Sequence, residues 1–193
     1  MARITDQTKI ERLKQSTMKL VVERGFGGAS AMLIAKDAKV AAGYFYMHYS
    51  GKYEMVNTLL QDVYQEIVDK LKELTQENYP FSETIDKMIR HIFAITSAGP
   101  IKMKFLYVLT NDYSFVVDAG IRKNIFDVII QLKELGHTER TLDQTITEDD
   151  LYLILFINTI QFINQRFKKS TKRVKFSKAD EDHLLYLINK ILK

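Results

Sequence analysis

The sequence predicts an all-α protein, with an N-terminal three-helix head joined by a long helix to a C-terminal helical bundle. Three observations carry that expectation. Apolar residues recur at the period of one helix face, as in Tyr53, Val56, Leu60, Val63, Tyr64, Ile67, Leu71 and Leu74. Hydroxyls stand three residues before an acid in "TEDD" at Thr147 and "SKAD" at Ser177, the capping-box arrangement that opens a helix. No stretch alternates apolar and polar residues as a half-buried strand would, and no internal repeat shows.

Taken in order, Ile10, Leu13, Leu20 and Val21 mark a first amphipathic helix, which stops at Gly25 in the stretch "GFGG". Ser30 then caps a short helix reaching about residue 38, and residues 42–48 form another. A long helix follows over about 51–75. The stretch "ENYPFSE" breaks it, because Pro80 disfavours helical backbone at Tyr79. Beyond lie helices over 82–97, 101–110, about 115–135, 148–168 and 178–192, punctuated by "SAGP" and Gly136. The seam between domains falls along the long helix, giving a domain over 1–52 and a second over 53–193.

Composition narrows the function classes. The 193 residues are 46% hydrophobic, ordinary for a folded chain, and contain no cysteine. Disulfide frameworks, thiolate metal sites and cysteine nucleophiles are therefore excluded together. The opening "MARITDQTKIERLKQ" has no apolar leader core, and the most apolar run, "LYLILFINTIQFI", is short and interrupted by Asn158 and Gln161. A cytoplasmic chain with no membrane span is expected. The formal net charge is +4, and residues 1–56 alone hold nine Lys or Arg against five Asp or Glu. The whole excess sits in the head, which suits a small basic unit that meets a polyanion.

Catalytic chemistry is hard to find. His48, His91, His137 and His183 are far apart, with no helical His or Glu pairing at metal-ligand spacing. There is no phosphate-cradling glycine loop and no Gly-x-Ser-x-Gly elbow. Glu148, Asp149 and Asp150 fall at a helix N-terminus, where the helix dipole already accounts for them. The expectation is a protein that is not an enzyme and holds neither cofactor nor metal.

The densest chemical signal is "AAGYFYMHYSGKYEM", in which five of the ten residues from Tyr44 to Tyr53 are aromatic. Successive helical residues point about 100° apart, so these rings cannot all face one core. A short helix from Ser30, a tight turn at residues 39–41 and a second short helix have the lengths of a helix-turn-helix. Ile34, Ala35 and Val40 allow the close crossing, while Phe45 and Tyr49, four apart, share the inner face. Tyr44 and Tyr46 then look outward, and His48 and Lys52 extend a basic rim suited to phosphate.

On these residues, with Gly25, Phe26 and Gly43, the stretch from Lys9 to Val56 resembles the DNA-binding head of the TetR family of transcriptional regulators. The resemblance implies a homodimeric repressor whose bundle binds a small molecule and changes the spacing of its two heads. By position it implies base-edge contacts from Ala42 and Tyr44. Phosphate contacts fall to Tyr46, His48 and Lys52, with Ser30 near the DNA backbone. Three features depart from the family pattern. Lys39 stands at the usual turn glycine, Ala41 replaces a capping Ser or Thr, and Met32 and Leu33 are apolar where polar residues are common.

Two further expectations concern the bundle. The helices over about 148–168 and 178–192 are apolar beyond the needs of one small interior, which points to a homodimer interface with Asn158 and Gln161 setting its register. A mainly apolar ligand pocket is expected from Phe93, Met103, Phe105, Tyr107 and Phe126, with His91, Thr110 and Asn111 as polar anchors. The partners expected are thus an inverted-repeat duplex, an unidentified small molecule and a second copy of the chain. The basic run from Arg166 to Lys178 reads as a solvated loop. The competing function is a helical interaction or membrane-surface protein using its basic patches.

Overall fold

Apolar stripes of the kind read above bury themselves by helix packing, and the computed structural model, which describes residues 2–169 and 174–192, is built on that principle. Among the described residues there are ten α-helices and one π-helical turn. They are α1 (Ala2–Gly28), α2 (Ala31–Asp37), α3 (Ala42–His48), α4 (Lys52–Gln76), α5 (Phe81–Ala98), α6 (Pro100–Thr110), α7 (Ala119–Thr138), α8 (Glu148–Tyr152), the π turn (Leu153–Ile157), α9 (Asn158–Lys169) and α10 (Lys178–Ile191). No single helix among them is long and apolar enough to cross a membrane.

Packing divides the chain into two units that interleave in sequence. One comprises residues 1–63 with 104–118, and the other 64–103 with 119–193. The division falls within the long helix after residue 63 rather than at 52/53, and the first unit also takes in residues 104–118.

In the first unit, Leu13, Leu20 and Val21 of α1, Ile34 and Ala35 of α2, Phe45 of α3 and Met55, Val56, Leu59 and Leu60 of α4 are buried together as its core. Lys14 bonds Asp62 at 2.8 Å and Lys19 bonds Asp37 at 2.6 Å, fastening α1 to α4 and to α2. The first helix breaks at Gly25, where the sequence places its end. That residue takes φ 72, ψ 171, a conformation open to glycine, and helical hydrogen bonding resumes to Gly28 beyond the kink.

The helix expected to start near residue 115 begins at Ala119 instead. The reason is local: Asp112 accepts hydrogen bonds from the N–H of Ser114 at 2.9 Å and from its hydroxyl at 2.6 Å, holding a turn, and Phe115 is buried in the first unit.

In the second unit, α5 buries Ile85, Met88, Ile89, Ile92 and Phe93, and α7 buries Ile121, Ile125, Val128, Ile129 and Leu132. Both capping boxes form as the sequence requires, Thr147 with Asp150 and Ser177 with Asp180. The single helix expected over 148–168 contains the π turn, whose extra residue per turn rotates the faces that follow. Arg90 of α5 reaches Asp86 on its own helix and Glu181 and Asp182 of α10, at 2.7 to 3.1 Å. Residues 170–173 of the basic run lie outside the described residues.

Candidate nucleic-acid interface

The interface is built on α2, the turn after it and α3. Ser30 has extended backbone and accepts a hydrogen bond from Leu33 N–H at 3.2 Å, so the first turn of α2 is capped by its hydroxyl. The helix closes with Val40 N–H donating to Ala35 O at 3.0 Å. Lys39 adopts φ 55, the left-handed backbone that its position demands and that glycine takes most easily. Ala41 stands at the N-cap of α3 with extended backbone and no side-chain cap. Two of the departures read from the sequence thus have a visible structural consequence.

Helix α3 sorts its side chains by angle. Phe45 is fully buried and Tyr49, the C-cap, is buried beside it with ring centroids 5.7 Å apart. Tyr44 and His48 occupy the flank, half-buried, with rings 4.7 Å apart, and the Lys9 ammonium lies 5.1 Å from the Tyr44 ring centre. His48 Nε2 is buried and has no hydrogen-bond partner among the described residues. Ala42, Gly43, Tyr46 and Met47 form the exposed arc, Tyr46 at 56% and Met47 at 78% exposure. The Tyr46 ring meets Phe45 edge-on at 5.4 Å, which fixes its direction.

Lys52 is engaged within the unit. Its ammonium donates to Phe26 O at 2.6 Å and lies 4.0 Å from the Phe26 ring centre, and this burial lowers its pKa. Phe26 is in turn held by Asp112, whose carboxylate accepts from Phe26 N–H at 2.8 Å. Hydrogen bonds from Ser114 hold the Asp112 carboxyl below the usual range. The Phe115 ring lies tilted against that of Phe26 with centroids 4.9 Å apart, and the Tyr53 hydroxyl donates to Val116 O at 3.0 Å. The kink at Gly25 is thus what presents Phe26 N–H to Asp112.

Several of the head's charges are therefore paired internally: Lys14, Lys19 and Lys52 each have a partner, while Lys36 and Lys39 are exposed. A cleft of about 340 Å³ lies among Arg12, Ser16, Lys19, Asp37 and Lys39, and Arg12 Nε is buried at it with no hydrogen-bond partner among the described residues.

Sequence reasoning missed Gly43 and Met47 as members of the exposed arc and Asp112 as a support of the head. The arc was legible from the helical angles of residues 42, 43, 46 and 47 once Phe45 was set inward. Asp112 was not legible, because nothing local says that it meets Phe26.

The residues expected to line a ligand pocket are divided between the units. Phe93 and Met103 are buried and Phe126 is half-buried in the second unit, with Phe126 5.5 Å from Tyr152. His91 Nε2 is buried there with no partner among the described residues. Tyr107, Thr110 and Asn111 belong to the first unit, where Thr110 and Asn111 both donate to Tyr107 O. Among the described residues no three His, Asp or Glu side chains gather as a metal would require.

Comparison with known proteins agrees with this geometry. Residues 15–59 match the family model for bacterial regulatory proteins of the tetR family. The HTH-type transcriptional regulator PksA of Bacillus subtilis is 20% identical over 158 residues, 79% of this chain and 77% of PksA. The uncharacterized HTH-type regulator YvdT of the same species is 27% identical over 88 residues, and there the chain spans only 45% of the relative's length. A TetR family regulator from Marinobacter aquaeolei superposes with TM-score 0.76 at 15% identity over 97% of both chains. The regulator FadR of Bacillus subtilis, solved with stearoyl-CoA, superposes with TM-score 0.71 at 13% identity over 95% of this chain and 97% of that one.

Proposed function

We propose that this chain, a TetR-family regulator, acts as a homodimeric repressor that leaves an inverted-repeat operator when a small molecule occupies its helical domain. The observation that carries the reading is α3. It is a seven-residue helix anchored by Phe45, with one arc held clear of the protein, inside the segment that matches the family model. Helix-turn-helix proteins place such a helix in the major groove. Ala42 then meets base edges with Tyr44 on the flank of the same groove. Ser30, Tyr46, His48 and Lys52 take the phosphate backbone, Lys52 with the two N–H groups that Phe26 leaves it.

Dimerisation through α8–α9 and α10 is supported by what one protomer leaves uncovered. Leu153 of the π turn and Tyr186, Leu187 and Ile191 of α10 are exposed, whereas Leu184, Leu185 and Ile188 are buried. An apolar helix face beyond the core's need suits a two-fold contact.

His91, Phe93, Met103 and Phe126 remain the proposed ligand contacts of the second unit. The unpartnered His91 Nε2 supports a polar anchor there. Tyr107, Thr110 and Asn111 keep the same proposed role on the first unit. Because FadR was solved with stearoyl-CoA, a long-chain acyl-CoA is the first ligand to try.

The test is a mobility-shift assay on DNA flanking the chain's own gene, with and without stearoyl-CoA. Saturable retardation that exceeds that of a random duplex supports the reading, and its absence overturns it. Failure of stearoyl-CoA to release the DNA overturns that ligand class alone.

A further inference from the structure

The exposed arc of α3 has a chemistry that constrains what it can read. The helix, "AGYFYMH", holds no Arg, Lys, Asn, Gln, Asp, Glu, Ser or Thr. Bidentate recognition of guanine needs Arg or Lys, and recognition of adenine needs Asn or Gln. The arc offers instead a methyl at Ala42, a thioether at Met47 and the ring and hydroxyl of Tyr46. The only base feature in the major groove that rewards apolar contact is the thymine methyl.

Gly43 supplies a second, independent observation. It lies inside α3 without a left-handed φ, and a Cβ built there would meet nothing within 4 Å. Glycine within a helix costs about 0.8–1.0 kcal/mol relative to alanine. Neither a turn nor a neighbour among the described residues explains it. A bare backbone on the most exposed arc of a groove-entering helix is explained by the close approach of something outside the chain.

We infer that this face reads thymine methyl groups, with Met47 and Ala42 in contact with them and Gly43 at the point of closest approach to the duplex. The inference rests on the head being a DNA-binding domain and specifies the operator chemistry it takes: half-sites built on A·T pairs whose thymines face α3. Discrimination comes from the apolar contacts of Met47 and Ala42 rather than from bidentate hydrogen bonds to base edges.

The experiment uses the full-length protein and the duplexes it selects from a random library. Selected half-sites rich in thymine are expected. Replacing a contacted thymine by deoxyuridine, which removes only the methyl, should weaken binding about fourfold per site, the equivalent of ~0.8 kcal/mol for one buried methyl-sized group. Met47→Ala should lose that sensitivity at one position of each half-site. Gly43→Ala should melt higher than wild type, as an alanine within a helix does, yet bind the selected duplex at least about tenfold more weakly, the scale of one mismatched base pair.

Half-sites built on G·C pairs, deoxyuridine duplexes bound as tightly as thymine ones, or a Gly43→Ala protein that keeps full affinity would each overturn the inference. If the wild-type protein selects no duplex at all, it is the DNA-binding reading itself that fails.

Discussion

Substitution of Asp112 by alanine tests whether the segment after α6 holds the head together. The carboxylate accepts from Phe26 N–H at 2.8 Å and from the N–H and hydroxyl of Ser114 at 2.9 and 2.6 Å. A hydrogen bond to a charged group contributes about 1.5–3 kcal/mol, and water reaches this half-buried side chain, so the low end, about 1.5 kcal/mol, is expected. For a chain of this size that corresponds to a fall in melting temperature of about 3–6 °C.

Ser114→Ala provides the comparison, since it removes one bond of the local turn and leaves Phe26 paired; its fall should be less than half as large. The depressed pKa of Asp112 sets the pH dependence. A folded value below the unfolded one means that the carboxylate's contribution is complete above about pH 4–5 and is lost as pH falls through the folded value. The gap between wild type and Asp112→Ala should therefore close in acid. Thermal melts of the three proteins from neutral pH down to the acid limit decide the matter. Equal melting of Asp112→Ala and Ser114→Ala, or a gap that widens in acid, refutes the reasoning.

Other expectations follow from single interactions. Lys39→Gly relieves a left-handed non-glycine residue and should stabilise the chain by about 1 kcal/mol, seen as a higher melting temperature. Gly136→Ala would push a methyl to within 2.8 Å of the Leu142 Cβ and 2.9 Å of the Phe81 ring, so a loss of about 1–3 kcal/mol is expected in denaturant titration. Leu187→Glu together with Ile191→Glu puts charge on the uncovered face of α10, and light scattering at micromolar concentration should report dimers for the wild type and monomers for this variant. Lys52→Met should lower stability by about 1 kcal/mol through removal of the Phe26 O bond. It should also flatten the salt dependence of DNA binding by about one unit for each phosphate that Lys52 neutralises.

What the sequence determined by itself was everything that acts over a few residues. Periodic apolar stripes placed α4, α5 and α10 to within a residue or two, Ser30, Thr147 and Ser177 announced their own caps, and the spacing of Phe45 and Tyr49 set the inner face of α3. These are short-range consequences of helix geometry and backbone hydrogen bonding, so no partner needs to be known.

Tertiary structure alone decided the rest. Lys52 turns to Phe26 O, and Asp112 crosses 86 residues of sequence to reach Phe26 N–H. The segment 104–118 packs with the head although it follows α5 in the chain. The π turn interrupts a stretch that reads as continuous helix, and Tyr152 beside it pairs its hydroxyl with that of Tyr64 at 3.2 Å. Each of these satisfies a polar group or fills a space that exists only after distant helices have met, and a linear pattern carries no record of which groups those will be.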